Sequence, residues 1–336
     1  MKTGTVSVVM PTYNHARYIR QAIASVLVQT YRELELIVVD NHSTDGTGEC
    51  VRGFDDDRIR YFTFRNNGVI AASRNFGATQ TGGEFIAFLD SDDMWADDKL
   101  TRQLDGLSGA DIALIGSAAW LLDEDQIRGR TFVGVSRRGF RDYSYEDLVQ
   151  NNAVHTSSAL MRRAAFQRAG GFDECPELVC VEDYDLWLRV ARTGRVRVLG
   201  KPLISYRIHP ATGRNKIAEA ERALGVIEKQ FRLGHLRDER ARNNACGTVF
   251  RGMARIALEA DLSRSRRYYL KALSLSTKPG ERLKAAVGYA ASYLPLAPRL
   301  SLDFLAWGRA SAYQGVEYLR NIADRIFKAP IRKTTL

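Results

Sequence analysis

The sequence predicts an α/β protein built on a mostly parallel sheet with helices on both faces, and three observations carry that expectation. Short β-branched apolar runs alternate with stretches of helical periodicity through the first hundred residues. The strands end in polar turns, PTYN, DNHSTD and DSDD, at the edge where open parallel sheets bind their ligands. Beyond Asn215 the strand signals fade while helical ones persist, which predicts a C-terminal helical appendage.

The elements follow in order. Val6 to Met10, bounded by Pro11, is a short β-branched-rich apolar run interrupted only by Ser7, the mark of a strand buried on both faces. From Ala16 to Gln29 the apolar residues Ile19, Ala22, Ile23 and Val26 share one helical face. ELIVVD (Glu35 to Asp40) is a second buried strand, closing a βαβ unit, and NHSTDGT turns the chain. The unit repeats as RIRYFTF (Arg58 to Phe64), a helix over Ile70 to Thr79, and EFIAFLD (Glu84 to Asp90), with a further helix expected over Met94 to Leu107. From Leu100 to Gly213 the pattern is mixed, with apolar runs at Asp111 to Leu114 and Val196 to Leu199 that add strands and a second wall to the site. Helices are expected over Ile217 to Phe231 and Asn243 to Leu262.

Composition narrows the function. With 336 residues, 45% hydrophobic and 26% charged, the chain has material for a sizeable core and no tract that argues for disorder. The net charge of +10 is uneven: residues 1–214 sum to −2 and residues 215–336 to +12. A basic tail on a near-neutral body points to anionic lipid ahead of nucleic acid, the plain alternative being a solvated arginine-rich surface. Cys50, Cys175, Cys180 and Cys246 form no C-x-x-C pair and no disulfide framework, so a reducing compartment is expected. The N-terminus enters a strand with no signal-peptide pattern, and the longest uncharged run, Ala285 to Pro298, is too short to span a bilayer. The expected location is the cytoplasm, with contact at the inner face of the membrane.

The first strand-to-helix turn, PTYNHARY, has no glycine, which excludes the dinucleotide fingerprint and the P-loop. A bound pyrophosphate would need charge from elsewhere, and DSDD supplies a means. Asp90 and Asp92, two apart in extended chain, can turn both carboxylates toward one hard cation, magnesium or manganese, unless they are turn formers or helix caps. Asp40 stands where nucleotide-binding sheets place an acid against a ribose or base, and equally where a turn aspartate would stand. Arg74 and Asn75 are candidates for a phosphate or a carboxylate. In VEDYDLWLRVARTG, Glu182 and Asp183 fall at a helix start, either complementing its dipole or acting as a general base whose pKa the neighbouring charge keeps from falling. SYRIHPATGR (Ser205 to Arg214) reads as a loop carrying Arg207, His209 and Arg214, with His209 either a metal ligand or a surface residue.

Five segments in order, VSVVMPTYN, ELIVVDNHSTDGT, RNNGVIAASRNFGATQTGGEFIAFLDSDDMW, GGFDE with EDYDLWLR, and YRIH, resemble the inverting glycosyltransferases of family 2 over residues 6–210. The resemblance implies a Rossmann-like nucleotide-sugar-binding fold of type A, with residues 1–100 binding the nucleotide sugar, 101–214 forming the acceptor side and holding the base, and 215–336 an extension. It implies that Pro11, Thr12 and Tyr13 line the nucleotide pocket and Asp40 bonds the base, usually uracil. Asn67, Gly68 and Arg74 would follow the diphosphate, Asp90 the ribose, and Asp92 a Mn2+ or Mg2+ ion with Asp93 beside it. Asp183, next to Glu182, matches the catalytic base, and His209 a further metal or diphosphate contact. The implied partners are a nucleoside-diphosphate sugar, UDP-linked by preference, and a saccharide or lipid-linked acceptor in surface polysaccharide or glycolipid assembly, with no nucleic acid. Asp40-Asn41 replaces the acidic pair frequent in the family, which leaves thymidine or guanosine donors open. Trp95 is expected on the acceptor side or in the core. The competing readings are a haloacid-dehalogenase-like phosphatase, which also ends a strand in D-x-D, a sugar nucleotidyltransferase, and a non-catalytic binding module.

Overall fold

A computed structural model describes residues 4–107, 111–123, 126–131, 139–208, 216–258 and 260–293. Its centre is β1 (Val6–Thr12), all seven residues of which are buried. β2 (Leu34–Asp40) and β4 (Phe85–Phe88) flank β1 in parallel, and β3 (Ile59–Thr63) lies outside β2. The sheet continues through β9 (Leu160–Arg162), β6 (Ile112–Asp123), β10 (Arg195–Ile208) and β5 (Met94–Trp95), in the order β3-β2-β1-β4-β9-β6-β10-β5. β7 (Gln126–Arg130) pairs with β6, and β8 (Phe140–Tyr143) with β10. β6 and β10 run parallel to each other, while β9 is antiparallel to both β4 and β6, so the sheet is mostly parallel but mixed.

The strand order reverses at β1, since β2 and β3 lie to one side and β4 to the other. Such a switch point opens a crevice beyond the strand ends, and Pro11 helps to open it. The Val9 carbonyl accepts from Leu89 N–H on the β4 side, and the Thr12 carbonyl accepts from Asn41 N–H on the β2 side. Pro11, two residues beyond Val9, therefore turns its missing N–H toward β4, whose pairing with β1 has already ended at Val9 and Phe88.

Helix α1 (Ile19–Leu27) buries the face Ile19, Ala22, Ile23 and Val26, as its periodicity predicts. α2 (Thr47–Arg52) follows β2, and α3 (Ile70–Thr79) crosses from β3 to β4. α3 approaches the sheet closely at Gly77, where a Cβ would stand 2.5 Å from Val9 Cγ1. Arg74, one turn earlier on the same face, is thereby directed inward. The chain between β4 and β6 differs from the expected helix over 94–107. Met94 and Trp95 pair with Ser205 and Ile204 as β5, and α4 (Lys99–Gly106) starts only after them. Trp95 is a core residue, 6% exposed, its indole N–H donating to Ser157 O at 2.7 Å.

α5 (Tyr145–Gln150), capped by Ser144 and Asp147, and α6 (Arg163–Arg168) flank β9, and α7 (Glu182–Ala191) precedes β10. β10 corrects the loop expected over Ser205 to Arg214: Ser205–Ile208 are strand, Arg207 is buried, and 209–214, with His209 and Arg214, lie outside the described residues.

The chain divides into two compact units, Met1–Val249 and Phe250–Leu336. The division falls well past residue 214 because α8 (Lys216–Arg232) buries Val226 and Ile227 and ties Lys229 to Asp173 (2.6 Å) and Asp185 (2.8 Å). In the second unit the end of α9 (Glu239–Ala257) packs with α10 (Leu262–Leu275) and α11 (Pro279–Ala291) around Ala254, Tyr269, Ala272 and Ala285. Among the described residues no helix is long and apolar enough to cross a membrane.

Candidate active site

A cavity of about 380 Å³ opens at the switch point between the ends of β1 and β4. Pro11, Thr12 and Tyr13 line one wall and Asp90, Ser91 and Asp92 the other, with His15, Asn41, Asn66, Gly68 and Ile70 completing it. The Thr12 hydroxyl is buried and has no hydrogen-bond partner among the described residues, and the Tyr13 ring is 55% exposed. A buried hydroxyl left unpaired on a cavity wall is costly unless a ligand completes it.

The expected residues are sorted by this geometry. Asp40 lies behind the wall. Its Oδ1 accepts from Ser43 N–H (2.8 Å) and Ser43 Oγ (2.6 Å), and its Oδ2 from Tyr61 OH (2.6 Å), so it holds the turn after β2 while the next residue, Asn41, faces the cavity. Burial and Asp40 together push the Tyr61 phenol up to about 12, which keeps it a donor. Asn67 and Gly68 occupy successive left-handed positions (φ 52° and 82°), and the turn they make brings Asn66 and Gly68, not Asn67, to the cavity.

Arg74 is 3% exposed and does not line the cavity. One guanidinium nitrogen donates to Asp90 Oδ1 at 2.7 Å and the other to Glu182 Oε1 at 2.6 Å. This arginine joins β4's end to the start of α7 across a long stretch of sequence. Its remaining Nε and Glu182 Oε2 are buried without partners among the described residues. Asp183, beside Glu182, keeps an open edge although it lies deep in the protein. Its Oδ1 accepts from Tyr184 N–H (2.6 Å) and Asn152 Nδ2 (3.5 Å), its Oδ2 from Thr156 Oγ1 (2.9 Å). Burial first, and the Glu182 charge second, push the Asp183 carboxyl up to about 7, against the opposing pull of Thr156 and Arg74. A carboxylate poised there can take a proton near neutrality.

The DSDD carboxylates divide in the same way. Asp93 is 2% exposed and accepts from Ser157 Oγ (2.5 Å) and Arg207 N–H (2.9 Å); burial and its neighbours Asp92 and Asp90 hold it well above the carboxylate range. It is a structural member of the set. Asp90 and Asp92 remain as hard oxygen donors on one cavity wall. Among the described residues no group of three His, Cys, Asp or Glu side chains could hold a metal unaided. Two carboxylates fit magnesium or manganese, which take few protein ligands and complete their shells with phosphate oxygens and water. His209 lies outside the described residues.

Sequence reading passed over several contributors. His15, whose Nδ1 lies 2.8 Å from Ser91 Oγ, stood in the quoted first turn and was a readable candidate. Asn152, Thr156 and Ser157 carried no signal beyond a run of small polar residues.

The family model described as glycosyl transferase family 2 matches residues 7–170. An uncharacterized glycosyltransferase of Rickettsia conorii is 32% identical over 238 residues, which cover 67% of this chain and 38% of that protein. The UDP-Glc:alpha-D-GlcNAc-diphosphoundecaprenol beta-1,3-glucosyltransferase WfgD of Escherichia coli is 30% identical over 225 residues, covering 66% of this chain and 85% of that protein. This chain thus spans well under half the length of the first relative and most of the second. Among solved structures, the mannosyltransferase PcManGT from Pyrobaculum calidifontis, in complex with GDP-Man and Mn2+, superposes with a TM-score of 0.53 at 20% identity, over 88% of this chain and 86% of that one. At that identity the likeness shows the fold.

Proposed function

Because the chain belongs to glycosyl transferase family 2, we propose that it transfers a sugar, with inversion, from a nucleoside-diphosphate sugar to an acceptor hydroxyl. One observation carries the assignment of roles: Arg74 binds Asp90 and Glu182 at once, so the cavity that would take the donor and the carboxylate of near-neutral pKa belong to one site. Family membership displaces the phosphatase, nucleotidyltransferase and binding-module alternatives.

In this reading the donor nucleotide lies in the switch-point cavity. The exposed Tyr13 ring offers a face to the base, Thr12 Oγ1 a waiting hydroxyl, and Asn41 and Asn66 amide groups for base or ribose. The relative WfgD is named for UDP-Glc, which favours a UDP-sugar, whereas PcManGT was solved with GDP-Man, and Asp40, buried behind the cavity wall on Ser43 and Tyr61, gives no support to base recognition through its own carboxylate. Asp92, with Asp90 on its oxygen not held by Arg74, would hold Mn2+ or Mg2+. Bound there, such an ion stabilises negative charge on the departing diphosphate. Asp183 takes the proton of the acceptor hydroxyl as that oxygen bonds to the anomeric carbon; the bond from that carbon to the diphosphate oxygen breaks and the nucleoside diphosphate leaves with its electron pair. Glu182, held by Arg74, keeps a charge beside Asp183 that opposes ionisation.

The acceptor is proposed to be a saccharide, free or lipid-linked, in surface polysaccharide or glycolipid assembly, by likeness to WfgD. The basic second unit would then rest on anionic lipid at the inner face of the membrane, from the cytoplasm. A panel of UDP-, GDP- and dTDP-sugars with Mn2+ tests the donor site by thermal shift. Stabilisation by one nucleotide class is expected, and none by any of them refutes the donor assignment. Asp183→Asn should keep that shift and lose about 10²–10⁴-fold in turnover.

A further inference from the structure

Two adjacent residues touch both halves of the site. Ser157 Oγ donates to Asp93 and accepts from Asp90 N–H at 3.1 Å, and Thr156 Oγ1 donates to Asp183 Oδ2 at 2.9 Å. They lie in one 3-10 turn, Thr156–Ser158, just before β9. The turn is held from its far side by α4 and β5. Trp95 Nε1 donates to Ser157 O and Gln103 Nε2 to Ser158 O, each at 2.7 Å. Lys99, fully buried, lies 3.8 Å from the centre of the Trp95 ring and donates to Gln103 Oε1 at 2.7 Å, so the two donors are themselves fixed.

We propose that Thr156 is the positioning residue of the base Asp183, and that the Thr156–Ser158 turn sets the separation between that base and the donor-side carboxylates. The proposal rests on Asp183 being the base. Without Thr156 the carboxylate would be fixed through Oδ1 alone, by Tyr184 N–H and the long contact to Asn152, and its plane could swing about that oxygen. A hydroxyl suits the place because it rotates: it donates to the carboxylate and accepts from the carboxylic acid once the acceptor's proton has arrived. The contact therefore survives the step, and no proton is gained or lost by Thr156. Among the described residues, the other titratable or charged groups around Asp183 are Glu182 beside it, Arg74 from α3, Cys180 ahead of α7 and His155 at the N-cap of the turn.

The test compares Thr156→Val and Thr156→Ser with Asp183→Asn in the full chain. The readouts are a 13C NMR titration of the aspartate carboxyls, in which Asp183→Asn identifies the resonance, and UDP release from UDP-glucose and Mn2+ into water. The valine variant should raise the Asp183 midpoint by about one unit, because a donor to the charged form is gone. It should cut kcat about tenfold with KM for UDP-glucose unchanged, and Thr156→Ser should restore both. An unmoved midpoint in Thr156→Val overturns the proposal while leaving the base assignment intact, and the titration decides this even where UDP-glucose is not turned over. Equal damage in the valine and serine variants, with raised KM and lowered melting temperature, marks a merely structural residue and also overturns it. Undiminished turnover in Asp183→Asn removes the base assignment itself.

Discussion

Replacing Asp183 with asparagine should stabilise the protein while silencing it, and the size of the gain follows from the site. The carboxyl stands at about 7, against an ordinary 3.8, because burial and the Glu182 charge disfavour its ionised form. A raised carboxyl pKa means that the folded state holds a proton the unfolded chain has released. Stability is therefore unaffected below about pH 4, falls as pH rises from there toward 7, and stays lowered above 7. About three units at 1.36 kcal/mol each give an upper bound of ~4 kcal/mol for this cost. Asparagine removes the charge while its oxygen still accepts from Tyr184 N–H and its amide N–H can donate to the rotated Thr156 hydroxyl, so it resembles the neutral acid in its hydrogen bonds. A gain of up to ~4 kcal/mol at pH 8 follows, worth at most about 8–16 °C for a unit of this size. Thermal unfolding of the two proteins across pH 4 to 8 reads it directly. The curves should converge near pH 4 and separate steadily toward pH 8. Curves that run parallel, or that cross the other way, refute the claim that Asp183 is held ionised at a cost.

Three further outcomes are expected. Asp92→Ala should abolish the Mn2+-dependent part of the nucleotide thermal shift while leaving the melting temperature without ligand within about a degree, since Asp92 lines the cavity rather than the core; an unchanged Mn2+ response would remove Asp92 from the metal. Gly77→Ala should lower stability by about 1–3 kcal/mol in a denaturant titration, because its methyl would meet Val9 Cγ1 at 2.5 Å and Val39 Cγ2 at 3.1 Å and lift α3 from the sheet, carrying Arg74 with it; an unshifted midpoint would contradict the close packing. Charge reversal of Arg267 and Lys271, both exposed on α10 beside the exposed Leu270, should weaken sedimentation with phosphatidylglycerol vesicles by at least about tenfold at low salt, at about 1 kcal/mol per charge; undiminished sedimentation would exclude that surface as the lipid contact.

What the sequence discloses is whatever depends on near neighbours. Val6–Met10 and Glu35–Asp40 are legible because a strand covered on both faces reads as a near-continuous apolar run, broken here only by Ser7 and by the acids at the ends of the second strand. The acidic turn after β4 and the carboxylate pair at α7 are legible because each is a local cluster in a local frame. Met94 and Trp95 are not, since strand pairing with Ser205 and Ile204 overrides a helical pattern and comes from the far end of the first unit. Arg207 was misplaced for the same reason: a loop by composition becomes a strand once β6 and β5 lie on either side. Thr156 and Ser157 were illegible because a hydroxyl announces nothing until its carboxylate is known. β9, inserted antiparallel between β4 and β6, is what brings them there.

The two carboxylates at the start of α7 show how position divides a role that sequence leaves shared. Both complement the helix dipole, and both follow Cys180, a non-glycine residue at φ 74° that turns the chain into the helix. Glu182 faces inward to Arg74, and an ion pair as dry as this one is seldom a net source of stability; losing one partner, however, leaves a buried charge alone at a cost of about 3–5 kcal/mol. The pair is therefore rigid, and through the same arginine so is the distance to Asp90. Among the described residues Asp183 makes no ion pair and is held by hydrogen bonds from Thr156, Tyr184 and Asn152. Its charge is thus the one that burial can suppress until a proton is needed. On the proposed assignment, the arginine that a nucleotide-binding reading would spend on phosphate instead locks the frame, and the charge for a diphosphate has to come from a cation on Asp92. That inference joins the glycine-free first turn to the acidic one: a fold without a backbone cradle for phosphate has carboxylates where the cradle's charge would be.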